Sequence, residues 1–120
     1  MSHPHAAIID SEAIENLRAL GDEGDDTFLR EIISIYLEDV PQRLADLKSA
    51  RSTEDRALYV RSAHTIKGSS ANVGAVEMRS LAEKLEHRAK TEPLATLDEA
   101  LTEIEQAFVR AQGALQAVIG

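Results

Sequence analysis

One histidine stands among neighbours that are unusual for a solvated helix face. Lys67 and Gly68 follow His64 by three and four positions, and residues at those spacings are neighbours on a helix. A neutral imidazole is nucleophilic, and imidazole is the side chain whose ordinary titration falls close to pH 7. A lysine beside it supplies a cation for an anionic group. Gly68 sits in mid-helix, where glycine costs roughly 1 kcal/mol relative to alanine. Such a residue makes sense where something must approach the backbone closely. The outward face shared by Ala57, Val60, His64, Lys67, Gly68 and Ala71 is otherwise small or apolar and holds no Asp or Glu. A hydrolase built on His64 would need a nucleophile and an orienting acid, so that class is disfavoured.

Charge sharpens the picture. Residues 51–90 hold eight basic and five acidic side chains, a net +3, while the rest of the chain carries −11 of the overall −8. A positive strip around a histidine in an acidic protein suits an anionic group or an acidic partner pocket. Arg61 lies one turn before His64. The other histidines form no metal site: His3, His5 and His87 have no third ligand at metal spacing, and no H-E-x-x-H pattern occurs. The acidic loop 22–26 lacks the ligand pattern of a calcium loop. Cysteine is absent, which excludes disulfides, thiolate catalysis and cysteine-held metals. Aromatics are 3% and the net charge is −8, so neither a base-stacking platform nor a duplex-binding surface is expected. No apolar run approaches the ~20 residues needed to cross a bilayer, and Met1-Ser2-His3-Pro4-His5 has no signal-peptide pattern. A soluble, cytoplasmic, single domain is the expectation.

The elements that must hold this face are helical throughout, since apolar residues recur at three and four positions and no segment alternates strictly. Residues 1–9 read as a flexible tail and 10–120 as one domain. Asp10 or Ser11 caps a short first helix through Leu20. Asp26 or Thr27 caps a second, Phe28 to about Ala50, with Phe28, Leu29, Ile32, Ile33, Tyr36, Val40, Leu44 and Leu47 on a wide apolar face. Pro41 within it predicts a kink or short break. Ser52 or Thr53 opens the third helix, which runs to about Val73 with Leu58, Ser62, Ile66, Ser69 and Val73 inward. Gly74 ends it in a left-handed cap. Met78, Leu81, Ala82, Leu85 and Ala89 form one side of a fourth helix, Val76 to Lys90. Thr96 with Glu99 predicts a capping box for the fifth, whose stripe is Leu97, Leu101, Ile104, Phe108, Ala111 and Leu115. The expected fold is all-α: an antiparallel four-helix bundle with a short extra N-terminal helix.

The run His64-Thr65-Ile66-Lys67-Gly68-Ser69-Ser70-Ala71-Asn72-Val73-Gly74-Ala75 closely resembles the motif of histidine-containing phosphotransfer (HPt) domains, H-x-L-K-G-S-[SA]-x-x-x-G-A. Phe28-Leu29, Leu44-x-x-Leu47 and Leu81-x-x-x-Leu85-Glu86 also fit that family. Ile66 for the commoner leucine is the one departure, a mild core exchange. The resemblance implies that His64 takes a phosphoryl group from an aspartate of a receiver domain, or from a kinase, and passes it to another receiver aspartate. It implies that Lys67 faces the phosphoryl oxygens and that Gly68 and Ala71 let the partner's loops in. Val60, Ala57 and Arg61 would join the docking surface. Mg²⁺ would belong to the receiver, so the chain would need no cofactor, metal or nucleotide site and would be a carrier without kinase activity. Its implied partners are receiver domains and a sensor or hybrid histidine kinase, and the small outer face suits a monomer that meets them transiently.

Two rivals share parts of this pattern. A histidine-kinase dimerisation domain has an acidic residue after the histidine and a proline five positions on, where Thr65 and Ser69 stand here. The N-terminal phosphoacceptor domain of a chemotaxis-type kinase shares H-[ST]-I-K-G but usually continues differently from Ser69 to Ala75. An adaptor that only packs against other helices predicts no phosphate chemistry at His64.

Overall fold

The structure, a computed structural model, describes residues 7–120. They form α1 (Ser11–Ala19), α2 (Thr27–Thr53), α3 (Arg56–Asn72), α4 (Val76–Ala89), a 3-10 turn (Leu94–Leu97) and α5 (Asp98–Ile119). α3 packs between α2 and α4, and α5 closes the ring by packing on α4 and α2, while α1 lies on α2. Short turns join the long helices, so neighbours run in opposite directions. The expected antiparallel bundle with an added N-terminal helix is the observed architecture.

The α5 stripe of Leu101, Ile104, Phe108, Ala111 and Leu115 is buried, and Met78, Ala82, Leu85 and Ala89 of α4 meet it inside. From α2 the core receives Leu29, Ile33, Tyr36, Val40, Leu44 and Leu47. Phe28, expected with them, is exposed at the start of the helix. On α3 the inward arc is rotated from the expected one. Ser62 and Ile66 are buried, but they are joined by Tyr59, Ala63 and Ser70, while Leu58 and Ser69 are only half-buried. The helix is wedged between two neighbours, so its α4-facing flank is covered as well as its α2-facing one. Tyr36 and Ser70 share a buried 2.7 Å hydrogen bond between α2 and α3. The buried Tyr59 hydroxyl has no protein partner.

Helix ends follow local chemistry more closely than residue order suggests. The Asp10 carboxylate accepts from the Glu12 amide at 3.0 Å, capping α1. At α2 the Asp26 carboxylate is drawn instead to Arg18, and Asp25 accepts from the Thr27 amide at 2.9 Å. No break occurs at Pro41: α2 is continuous, and the ring is exposed, leaving the Leu37 carbonyl without its helical donor on a solvated side. Burial of Val40 and Leu44 on either side holds the helix together across it. Ser52 and Thr53 do not open α3. They end α2, Glu54 turns the chain in a left-handed conformation (φ 57°), and Asp55 caps α3 by accepting from the Leu58 amide at 3.0 Å. The Thr96–Glu99 box does not form either. The Thr96 hydroxyl donates to the Pro93 carbonyl at 2.7 Å, and a 3-10 turn leads into α5 at Asp98.

Gly74 does end α3 with a positive φ of 73°. A side chain there would place its Cβ 2.8 Å from Ala13 Cβ. Its carbonyl accepts from the Asp10 amide at 2.8 Å, which seats α1 against the α3–α4 turn. Of the expected tail, residues 1–6 (with His3 and His5) lie outside the described residues, while Ile8 and Ile9 are half-buried against the core. Among the described residues there is no cluster of three or more metal-binding side chains, and no helix is long and apolar enough to cross a membrane.

Candidate functional site

His64 stands at the middle of α3 with 64% of its side chain exposed. Ala57, Arg61, Gly68 and Ala71 are exposed on the same strip, and Val60 is half-buried beside it. Nothing in the protein lies within 4 Å of where a Gly68 Cβ would be. The fold therefore has no internal need for glycine at this position.

The ring is held from α4. Its Nδ1 lies 2.9 Å from Glu86 Oε2, on a side chain that is only 10% exposed. An ionised carboxylate can only accept, so the pairing assigns the hydrogen to Nδ1. In the neutral ring Nε2 then carries the lone pair. Lys67 Nζ lies 2.9 Å from Glu86 Oε1, and Lys90 Nζ reaches to 4.0 Å from Oε2. Burial opposes the ionised form of Glu86, but the hydrogen bonds and charges of Lys67 and His64 outweigh it and hold its carboxyl below the usual range.

The acid that the sequence placed nowhere near His64 therefore arrives from another helix. Lys67, expected to be exposed, is half-buried, and its ammonium is engaged by Glu86 rather than free. A signal for Glu86 was present: an acid directly after Leu85, on the flank of α4 that buries Ala82, Leu85 and Ala89, must find a partner. His87 is exposed on the far side of that turn.

Two surfaces flank the histidine. On the α4 side a shallow groove is lined by Arg56, Ala57, Val60, Arg61, Glu86 and Lys90. On the α2 side an apolar hollow is lined by Leu17, Ile32, Ile35, Tyr36, Ser69 and Asn72. Ile35 is 63% exposed there, and sequence reasoning missed this second surface. Its trace in the sequence is Ile35, an apolar residue left over once the α2 core face is filled.

Similarity to known proteins agrees with this geometry. The Multistep phosphorelay regulator 1 of Schizosaccharomyces pombe is 29% identical over 80 residues, covering 67% of this chain and 27% of that protein. The Histidine-containing phosphotransfer protein 2 of Arabidopsis thaliana is 32% identical over 68 residues, covering 54% of this chain and 44% of that protein. The chain thus spans less than half the length of these curated relatives. In fold it superposes on histidine-containing phosphotransfer protein B of Pseudomonas aeruginosa PAO1 with a TM-score of 0.83 at 21% identity, covering 94% of this chain and 95% of that one. A sequence model of the Hpt domain matches residues 31–114, which include His64 and the Glu86 that holds it, and the chain belongs to the Hpt domain family.

Proposed function

We propose that the chain is a phosphorelay phosphocarrier in which Nε2 of His64 accepts a phosphoryl group from a receiver-domain aspartate, or from a kinase, and yields it to another receiver aspartate. The observation that carries this reading is the ring itself: exposed, with Nδ1 tied to a buried carboxylate, so that in the neutral ring the lone pair falls to Nε2. Phosphoryl transfer needs positioning and charge stabilisation more than covalent help. Glu86 supplies the positioning. Lys67 supplies the charge by swinging its ammonium from the carboxylate to the phosphoryl oxygens, a movement its flexible stem permits.

The partner docks across the exposed strip. Gly68 and Ala71 keep the approach to Nε2 clear, and Ala57, Val60 and Arg61 form one margin. Asn72 and Ser69 lead to the other margin, the apolar hollow with Ile32 and Ile35. Mg²⁺ and its acidic site belong to the receiver, and sensor or hybrid kinases load the relay. The chain itself acts as a monomeric carrier without a nucleotide site.

The test is direct. The full chain is incubated with a phosphorylated receiver domain and Mg²⁺, and the label is followed. Acid-labile, base-stable label on the wild type, absent from His64→Gln, is the expected result; no transfer, or transfer to the Gln variant, overturns the assignment. A chain that serves only as a helical adaptor would bind without taking label.

A further inference from the structure

The charge of Glu86 has a role distinct from aiming the ring. We infer that the Glu86 carboxylate keeps the proton on Nδ1 of His64 throughout the phosphorylated state, so that the phosphoryl group is carried on, and leaves from, a protonated ring. This rests on His64 being the phosphoryl carrier.

The chemistry balances without any proton transfer. The Nε2 lone pair forms the N–P bond while the P–O bond to the donor aspartate breaks, its electrons staying on the aspartate carboxylate. The ring has lost no proton, so it becomes an imidazolium whose Nδ1–H still donates to Glu86. In the onward step an oxygen of the acceptor aspartate bonds to phosphorus, the N–P pair returns to Nε2, and a neutral ring departs. Without the Nδ1 proton the ring would have to depart as an imidazolate anion, a far worse leaving group.

The surroundings of the ring single out Glu86 for this role. Among the described residues, the groove at His64 draws its charged groups from α3 and α4 alone: Arg56, Arg61, Glu86 and Lys90, with Lys67 behind the carboxylate. Glu86 is the one negative group, it lies within hydrogen-bond distance of Nδ1, and its burial limits screening by water. The cations oppose protonation of the ring, but weakly. Arg61 is exposed, Arg56 donates to the Ala89 and Glu92 carbonyls, and Lys90 is 58% exposed and beyond hydrogen-bond distance of the carboxylate. Before transfer Lys67 and His64 hold the carboxylate ionised against the opposing effect of burial. Once Lys67 turns to the phosphoryl oxygens, the imidazolium that donates to Glu86 still favours its ionised form, so the carboxylate does not take the proton. An oriented carboxylate stabilises an imidazolium in the same manner in a Ser-His-Asp triad.

The experiment phosphorylates the full chain with phosphoramidate and follows the ³¹P resonance of the phosphohistidine against pH. Expected first, with no variant needed, is a titration midpoint at higher pH in the folded protein than in the same phosphorylated chain unfolded in urea. Expected second is that Glu86→Gln, which keeps a carbonyl acceptor for Nδ1–H but removes the charge, moves the midpoint to about tenfold higher proton concentration. Transfer from that variant to a receiver at pH 8 should also slow. A midpoint unchanged by folding, or by the Gln substitution, overturns the inference while leaving the carrier reading intact. If phosphoramidate labels wild type no more than His64→Gln, the carrier reading itself fails and this inference falls with it.

Discussion

The ammonium of Lys67 lies 2.9 Å from Glu86 Oε1, on the same carboxylate that receives the Nδ1–H of His64 through its other oxygen. One buried acid thus holds both the histidine and the lysine to which the proposed transfer assigns the nucleophile and the cation.

Lys67→Ala removes the cation without emptying the core, because the side chain is only half-buried and Glu86 keeps His64 and Lys90 as partners. Transfer from a phosphorylated receiver should slow roughly tenfold, the weight of one charge-assisted hydrogen bond. Circular dichroism should show unchanged helix content. Unaltered transfer kinetics would remove the role given to Lys67.

Gly68→Gln tests the open strip. The site has room for a side chain, and glutamine is the better helix former by about 0.5–1 kcal/mol. The melting temperature should rise while receiver affinity, measured by calorimetry, falls at least tenfold. A variant that binds as well as wild type would show that no partner comes close to the backbone beside His64.

Gly74→Ala should act in the opposite sense, damaging the fold first. Its φ of 73° costs an L-residue about 1–2 kcal/mol, and the new Cβ would lie 2.8 Å from Ala13 Cβ. Denaturant unfolding should show a loss of at least that size. Hydrogen exchange should quicken most in α1, which depends on the Asp10–Gly74 bond. Exchange that stays slow in α1 would mean the helix is anchored elsewhere.

Two buried tyrosines should respond differently to loss of their hydroxyls. Tyr36→Phe leaves Ser70 without its 2.7 Å partner and should cost about 1–2 kcal/mol. Tyr59→Phe removes a hydroxyl that has no protein partner and should be neutral or stabilising by up to about 1 kcal/mol. Burial raises both phenols to about 12, with the Ser70 bond opposing it at Tyr36. At Tyr59, Asp98 adds to burial while Arg51 and Arg88 oppose it. Between the ordinary value near 10 and about 12, the folded chain binds more protons than the unfolded one. Stability should therefore fall as pH rises through that window. Each Phe variant should flatten that decline, and a Tyr59→Phe protein with an unaltered alkaline transition would contradict the burial of its hydroxyl.

The sequence by itself determined the helical class, the α5 stripe, the left-handed end at Gly74 and the exposed histidine with Gly68 beside it. These are all short-range matters: periodicity over a few turns, a backbone angle that glycine tolerates, and neighbours three and four apart. The structure adds that nothing in the fold crowds Gly68. Only tertiary structure decided which acid meets His64. Glu86 lies 22 positions away on another helix, and the contact exists because α3 and α4 pack side by side. The same packing rotated the buried arc of α3 to include Tyr59, Ala63 and Ser70 and drew Lys67 onto the carboxylate. It also carried α2 intact through Pro41, where local preference favoured an interruption. Local propensity selects the elements, but the angle at which a helix faces its two neighbours is set by how their side chains fit together. Nothing within a single helix specifies that angle, and the chemistry of the histidine depends on it.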